Sequence, residues 1–258
     1  GAGVYDHGYV LADERIADHT PGDGRPKQRL WRIRAAHIVT ATGAIERPLA
    51  FAGNDVPGVM LASAVRDYVV NQAVSPGDRT VIVTNNDDAY RTAIALQQAG
   101  LQVPVVVDAR AEATGDLPAQ ARALGIRVET GRAIAAVAGT KRVTGVTLCL
   151  QSGEGAAIED IPCDAVAMSG GWSPVVHLWS HCGGKLNWGD TIAACTPEPA
   201  RPPVNHDGSA MVSVVGAAAG TFDLGAILTG AGAAGGGKKA KRQDDAARTD
   251  GIEPVWVM

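Results

Sequence analysis

The sequence predicts an α/β fold in which a compact βαβαβ unit interrupts a larger unit. Apolar runs alternate with helical stretches in the middle of the chain, and two apolar strands flanking that segment end abruptly at small residues. The alternating strands and helices occupy, in order, residues 80–84, 89–98, 103–108, 117–124 and 126–129. Such alternation builds a parallel sheet with right-handed crossovers.

The two flanking strands share an unusual way of ending. The strand at 36–41, which we expect to be buried, runs into Ala41-Thr42-Gly43, and the strand at 165–168 runs into Gly170-Gly171-Trp172-Ser173-Pro174. Glycine has no Cβ, so a backbone that ends a strand in glycine can approach a flat ligand closely. The pair predicts a Rossmann-like FAD/NAD(P)-binding scaffold with two dinucleotide-binding domains, as in flavoproteins.

We therefore predict a discontinuous main domain over 1–77 and 163–258, partial in character, and an inserted second Rossmann-like domain over 78–162. Within the insert, an antiparallel meander is expected over 134–137, 143–150 and 157–161. The main domain should contain a strand at 4–15 paired with 29–34, a helix capped by Ser63, a helix after Pro174, a strand at 212–215, and a helix from 223 to about 234.

Composition excludes several classes of protein. Hydrophobic residues make up 46% of the chain and charged residues 19%, which suits a packed core. The net charge of −4 argues against nucleic-acid binding, and the basic cluster at 238–242 is followed by acidic residues. No apolar run approaches the roughly 20 residues of a membrane span. Four cysteines without a CxxC pair suit reduced thiols, so we expect a cytoplasmic location.

Three potential metal ligands lie close together at 177–182. His177 and His181 share a helix face and Cys182 follows them, but no carboxylate or second cysteine pair completes a ligand set nearby. We predict no metal. No nucleophile elbow or Cys–His pair with a third group can be identified either, and catalytic residues stay unassigned.

The first loop of the inserted unit departs from the pattern that binds dinucleotides. A working fold carries G-x-G-x-x-G there, whereas this loop reads Thr84-Asn85-Asn86-Asp87-Asp88. Two carboxylates at a helix start favour the helix dipole but repel a phosphate. We expect the insert to keep the fold without binding a cofactor.

Several motifs together resemble one family. They are Tyr5-Asp6-His7-Gly8-Tyr9-Val10, Ala41-Thr42-Gly43-Ala44-Ile45-Glu46-Arg47-Pro48, residues 54–64, Thr84-Asn85-Asn86-Asp87, Gly183-Gly184-Lys185-Leu186 and residues 169–178. The combination is similar to the alpha subunit of heterotetrameric sarcosine oxidase, and the resemblance covers nearly the whole chain. It implies that the unit preceding this stretch, with the glycine-rich pyrophosphate loop, and a C-terminal folate-binding domain lie outside the chain.

The resemblance implies an activity for the assembled enzyme. Sarcosine is oxidatively demethylated to glycine, with hydrogen peroxide as the reduced product of oxygen and formaldehyde or 5,10-methylenetetrahydrofolate as the fate of the methyl carbon. FAD would lie in the beta subunit, FMN at the alpha–beta interface, and NAD, without turnover, in this subunit. Partners would be the beta, gamma and delta subunits, and the chain alone should be inactive.

By position, the resemblance points to one group of cofactor contacts. These are Ala41, Thr42, Gly43, Gly216, Ala217, Phe222 and Leu224. Ala217 stands where flavoproteins of this superfamily usually carry an aspartate that holds a ribityl hydroxyl, and its presence shifts the expectation from FAD to NAD. Asp223 is as well suited to capping a helix.

Two alternatives stay open. One is an FAD- or NAD-dependent oxidoreductase of the opine oxidase or hydrogen cyanide synthase type, which shares the scaffold. The other is a non-catalytic interaction scaffold that keeps the fold and holds no cofactor.

Overall fold

A computed structural model describes residues 2–18, 20, 22, 24–153 and 155–236. The basic cluster at 238–242 therefore lies outside the described residues. The strands are β1 (Ala2–Tyr5), β2 (Tyr9–Arg15), β3 (Gln28–Arg34), β4 (Ile38–Thr40), β5 (Ala44–Glu46), β6 (Val59–Leu61), β7 (Thr80–Thr84), β8 (Val106–Asp108), β9 (Val128–Thr130), β10 (Arg132–Ala138), β11 (Gly145–Leu150), β12 (Ala157–Pro162), β13 (Ala165–Ser169), β14 (Trp172–Pro174), β15 (Leu186–Gly189), β16 (Ala194–Pro197) and β17 (Val212–Val214).

The described part of the chain also contains five α-helices. They are α1 (Ala62–Gln72), α2 (Asp88–Gln98), α3 (Asp116–Ala123), α4 (His177–His181) and α5 (Leu224–Gly236), with short 3-10 helices at Asp6–Gly8 and Gly216–Ala219. The mixture of parallel strands and helices confirms the predicted α/β class.

Internal contacts divide the chain into two units. Among the described residues, unit 1 comprises residues 2–45, 173–190 and 194–236, and unit 2 comprises residues 46–172 and 191–193. This division differs from the boundaries predicted at 77/78 and 162/163. The reason is strand pairing: β13 lies between β6 and β7, so residues before 78 and after 162 complete the unit 2 sheet.

Unit 2 is a parallel sheet with strand order β6-β13-β7-β8-β9. The β7-α2-β8-α3-β9 succession is the βαβαβ unit that the sequence predicted. Alternate residues of β7 face opposite sides: Val81 and Val83 pack in the cluster that includes the meander, and Ile82 packs with helix residues such as Tyr90 and Leu96. Burial on both faces explains the continuous apolar run in the sequence. The predicted meander forms as β10-β11-β12.

Unit 1 contains the antiparallel sheet β1-β2-β3, the parallel pair β4–β17 and the hairpin β15–β16. Its core joins Val4, Trp179, Cys182, Met211 and Val212. The pairing of β17 with β4 runs from Val212 opposite Ile38 to Val214 opposite Thr40. The two strands therefore end side by side.

Three local predictions were wrong. The single strand at 4–15 is two strands, because His7 (φ 60°) and Gly8 (φ 73°) turn the chain so that β1 pairs with β2. The strand at 36–41 is shorter and only partly buried, with Val39 42% exposed. Ser63 does not cap α1: the helix begins after Leu61, and Ser63 instead bonds the Glu46 carboxylate.

Candidate functional site

The first part of the candidate site is the pair of strand ends in unit 1. After β4 the chain continues through Ala41-Thr42-Gly43, and after β17 through Val215 to Gly216. Because the strands are parallel and in register, these small residues lie at the same edge of the pair. The Val215 amide also donates to Thr40 O at 3.0 Å, which continues the pairing one residue further.

Polar groups of Thr42 and Gly43 at the first strand end hydrogen-bond the backbone of Val175. Thr42 Oγ1 donates to the carbonyl oxygen of Val175 at 2.7 Å, and the Val175 amide donates to Gly43 O at 2.9 Å. A Cβ built on Gly43, whose φ is +74°, would meet no atom within 4 Å. The backbone at Gly43 is thus open to a close approach.

The second strand end turns into helix α5. Gly216 has a φ of +67°, and the nearest atom to a Cβ placed there is Ile227 Cγ2 at 3.5 Å. Asp223 caps α5, because its Oδ1 accepts the Ala226 amide at 2.8 Å and its backbone oxygen accepts the Ile227 amide. The capping role foreseen for Asp223 is confirmed.

A cavity of about 500 Å³ adjoins this turn. Most of its lining is small, and its polar members include His37, whose ring contacts Ala210 O and Ser213 Oγ. The lining comprises His37, Ser213, Val214, Val215, Gly216, Ala219, Thr221, Ala226, Gly230, Ala233 and Ala234. Among the residues predicted from sequence as cofactor contacts, Gly216 is in this lining.

The other predicted contacts surround the same two strand ends without entering that lining. Ala41 and Thr42 are exposed, Ala217 and Phe222 are half-buried, and Leu224 is exposed at the first turn of α5. The structure thus brings the Ala41-Thr42-Gly43 and Gly216-Ala217 segments to one edge. Their role in binding a cofactor stays a prediction.

Unit 2 holds a second cluster of polar side chains, at the carboxyl ends of its parallel strands. Arg110 Nη2 lies 2.6 Å from Asp87 Oδ1 and 2.7 Å from Asp108 Oδ2, and the Tyr90 hydroxyl donates to Asp108 Oδ2 at 2.7 Å. All four residues are less than a tenth exposed. Sequence patterns identified Asp87, but nothing in the spacing indicated Arg110 or Asp108 as its companions.

The electrostatics of this cluster favour the ionised pair. Burial lowers the pKa of Arg110, but hydrogen bonds and charge from Asp108 and Asp87 more than offset it, so its pKa is raised. Burial, with the neighbouring Asp108 carboxylate, raises the pKa of Tyr90 and keeps its phenol protonated. The guanidinium therefore carries its positive charge at neutral pH.

The three residues considered above as metal ligands lie in α4 and directly after its last residue. Cys182 Sγ lies 2.9 Å from Leu178 O, and the His181 ring contacts the Tyr5 ring edge-on at a centroid distance of 5.1 Å. Across the described ranges, no group of three His, Cys, Asp or Glu side chains is arranged to hold a metal. In the same part of the chain, no helix has both the length and the apolar character needed to cross a membrane.

Comparison with curated proteins gives consistent relatives. Sarcosine oxidase subunit alpha of Rhizobium meliloti (strain 1021) is 40% identical over 234 residues, covering 90% of this chain and 22% of that protein. The subunit of the same name from Corynebacterium sp. (strain U-96) is 37% identical and covers 99% of this chain and 27% of that protein. The chain therefore spans about a quarter of the length of the curated relatives it matches. No family model matches the chain.

Comparison with solved structures identifies the fold. Thioredoxin reductase of T. acidophilum aligns with a TM-score of 0.61 at 15% identity, over 90% of this chain and 70% of that one. L-proline dehydrogenase of P.horikoshii aligns with a TM-score of 0.55 at 19% identity, over 84% of this chain and 35% of that one. The predicted Rossmann-like fold of FAD/NAD(P)-binding oxidoreductases is confirmed, and over nearly its whole length the chain is similar to part of the alpha subunits of sarcosine oxidases, as its motifs indicated.

Proposed function

We propose that this chain is part of the alpha subunit of a sarcosine oxidase and that unit 1 holds NAD. The assembled enzyme would oxidise the CH–NH bond of sarcosine, giving glycine, hydrogen peroxide, and formaldehyde or 5,10-methylenetetrahydrofolate. The observation that carries the proposal is the identity of 36–40% to three alpha subunits over at least 90% of this chain.

The residues at the strand ends of unit 1 fit one wall of a dinucleotide site. Gly43 leaves open space where a side chain would otherwise stand, and a Cβ on Gly216 would contact Ile227 Cγ2 at 3.5 Å, so without these side chains a planar or phosphate-bearing group can reach the backbone. Ala217 offers no carboxylate for a ribityl hydroxyl, which favours NAD over FAD. NAD bound here would be a resident group without turnover, as the resemblance implies.

The remaining cofactors and partners would be supplied by other parts of the enzyme. FAD in the beta subunit would carry out amine oxidation, FMN would lie at the alpha–beta interface, and tetrahydrofolate would accept the methyl carbon. The beta, gamma and delta subunits complete the proposed heterotetramer, which we place in the cytoplasm. No residue of this chain is assigned to the oxidation step.

The proposal is tested by extracting the cofactor from the full-length protein containing this chain and identifying it by mass. We expect NAD, and we expect Gly43→Val to reduce its amount because the new side chain fills the open space beside the strand end. Gly208→Val is the matched control: Gly208 also has a positive φ (+80°) and open surroundings but lies in the loop before β17.

The alternatives give different results in the same experiment. FAD bound in this subunit would favour an oxidoreductase of the opine oxidase or hydrogen cyanide synthase type. Absence of any nucleotide would favour the non-catalytic scaffold. Equal NAD content in both glycine variants would contradict the assignment of the strand ends as the binding wall.

A further inference from the structure

Unit 2 has the two positions at which dinucleotide-binding folds recognise their ligand. One is the loop between the first strand and the first helix, and the other is an acidic residue at the end of the second strand, which ordinarily bonds a ribose hydroxyl. In unit 2 these are the loop from Thr84 to Asp88 and the carboxylate of Asp108. The fold therefore presents the framework of a second site.

Arg110 occupies the space between these two positions. Its Nη2 bridges Asp87 Oδ1 and Asp108 Oδ2, its Nε lies 3.0 Å from Asp108 Oδ1, and its own amide donates to the same oxygen at 3.0 Å. The residue is 8% exposed, Asp87 3% and Asp108 0%. The Arg110 guanidinium thus takes the hydrogen-bonding positions of the Asp108 carboxylate that a ribose hydroxyl would otherwise use.

The loop is also closed from its outer side. A Cβ on Gly115 would clash with Asp87 Oδ2, so the carboxylate packs into the space that this glycine leaves at the start of α3. Between β7 and β13, the side-chain nitrogen Nδ2 of Asn86 donates to both the carbonyl and the hydroxyl oxygen of Ser169, each at 3.1 Å. That bridge crosses the point where strand order reverses, which is where ligands enter such sheets.

The sequence predicted that the two carboxylates of the loop would repel a phosphate, but in the structure both are paired with arginines. Asp87 is paired with Arg110 inside the unit, and Asp88 contacts Arg66 and Arg91, each at 3.3 Å. Exclusion of a dinucleotide therefore has a different physical basis. The space is filled and the charges are already compensated.

We infer that unit 2 is a dinucleotide-binding fold closed by its own side chains, in which the Arg110 guanidinium acts as an internal ligand that holds the first loop against Asp108. Unit 2 then keeps its folded loop without a bound nucleotide. This inference does not depend on the proposed function of unit 1.

Hydrogen–deuterium exchange of the full-length protein, first stripped of bound nucleotide and then measured with and without NAD⁺ at millimolar concentration, tests the closure. The reporting amides are Asn86, Asp88, Tyr90, Ala109 and Arg110, which are hydrogen-bonded in or beside the loop. We expect NAD⁺ to leave their exchange unchanged. Slower exchange at these amides on adding NAD⁺ would overturn the inference.

The role of Arg110 is tested by Arg110→Met, which leaves two buried carboxylates without their cation. We expect loop exchange to rise by roughly a hundredfold or more, since an uncompensated buried charge favours local opening. Arg127→Met is the control, because Arg127 makes an exposed pair with Glu159 in the same unit but away from the loop. Unchanged loop exchange in Arg110→Met would refute the internal-ligand role.

Arg110→Met could instead unfold the whole unit, and exchange in the meander β10-β11-β12 would then rise equally. In that case Arg110→Lys is used, which keeps one positive charge but not the fork. Faster loop exchange with an unchanged meander would support the inference, and an unchanged loop would contradict it.

The same exchange experiment separates this inference from the proposed function. NAD⁺ protection at Ala41-Thr42-Gly43 or at 216–226 would support NAD binding in unit 1. Its absence there would weaken the proposed function while leaving the closure of unit 2 intact. Protection confined to the unit 2 loop would contradict the closure.

Discussion

Glu46 and Arg47 are adjacent charged residues of unit 2 with opposite hydrogen-bonding roles. Glu46 accepts hydrogen bonds, whereas Arg47 donates them to backbone carbonyl oxygens. Glu46 is 4% exposed, and its Oε2 accepts the amide and the hydroxyl of Ser63 at 2.9 and 2.5 Å. Arg47 donates to the carbonyl oxygens of Gly170, Ile192 and Ala193 at 3.0, 3.1 and 3.0 Å. Burial lowers the pKa of Arg47 to about 10, which still leaves it charged at neutral pH.

The Glu46 carboxyl should make stability depend on pH. Burial raises its pKa above 4.5, and the bonds from Ser63 offset this only in part. The folded state then holds this proton more tightly than the unfolded state does. The stabilisation that results is fully present below about pH 4.5, and it is lost as the pH rises through the raised pKa of the folded state.

Glu46→Gln removes this titration while keeping an oxygen acceptor for the Ser63 amide. We expect the variant to gain stability relative to the wild type as the pH rises from 4.5 to neutrality, measured as the free energy of unfolding in urea at several pH values. A constant difference between the two proteins over that range would show that Glu46 titrates normally.

At the scale of elements, the inserted βαβαβ succession and the pairing of β2 with β3 could be predicted, whereas the turn between β1 and β2 could not. Strands buried on both faces, such as β7 and β8, are continuous apolar runs, and glycines follow the ends of α2 and α3. The turn between β1 and β2 places His7 and Gly8 in the left-handed region, and a single glycine within an alternating apolar pattern does not by itself end a predicted strand. The alternation of residues on both sides therefore predicted one continuous strand across this turn.

Asp164 fastens the start of β13 to the start of β7. Its two carboxylate oxygens accept the backbone amides of Asp78 and Arg79 at 3.0 and 2.8 Å. We expect Asp164→Ala to lower the free energy of unfolding by about 1–3 kcal/mol, because two amides lose a charged acceptor. Thermal or urea unfolding measures the loss.

Two controls accompany that measurement. Asp164→Asn keeps one acceptor oxygen and should lose less than the alanine variant. Glu112→Ala removes an exposed carboxylate elsewhere in unit 2 and should stay within about 0.5 kcal/mol of the wild type. Equal stability of Asp164→Ala and wild type would show that water replaces these bonds at no cost.

At the scale of the whole molecule, residues 1–258 contain no assigned oxidation centre. We expect the purified chain alone to produce no peroxide that depends on sarcosine, measured in a peroxidase-coupled assay. A positive control is the same chain within its full-length protein and partner subunits. Turnover by the chain on its own would place the amine oxidation site here and would refute the proposed division of labour.

The fold and the similarity to sarcosine oxidase alpha subunits could be predicted from the sequence, because both depend on patterns spread along the chain. The strand ends of unit 1 could also be located, since small residues there are visible in the sequence. The closure of unit 2 could not be identified, because Asp87, Asp108 and Arg110 meet only once two strands pair. The spacing of charges along a chain does not say which charges will face each other.

The long continuous segment of unit 2 has its two ends together, which bears on the order in which the chain is completed. The Arg47 amide donates to Gly171 O at 2.8 Å, and the Gly170 amide donates to Arg47 O at 2.7 Å. The parallel sheet of unit 2 can therefore form once residues near 172 have emerged from the ribosome, and of the described residues only 191–193, two of whose carbonyl oxygens accept from Arg47, join unit 2 later. The parallel pair of unit 1 must wait, since β4 finds its partner β17 only after synthesis has passed residue 214. We therefore expect the unit 2 sheet to assemble first and the parallel pair of unit 1, whose strand ends we propose to hold NAD, to assemble last.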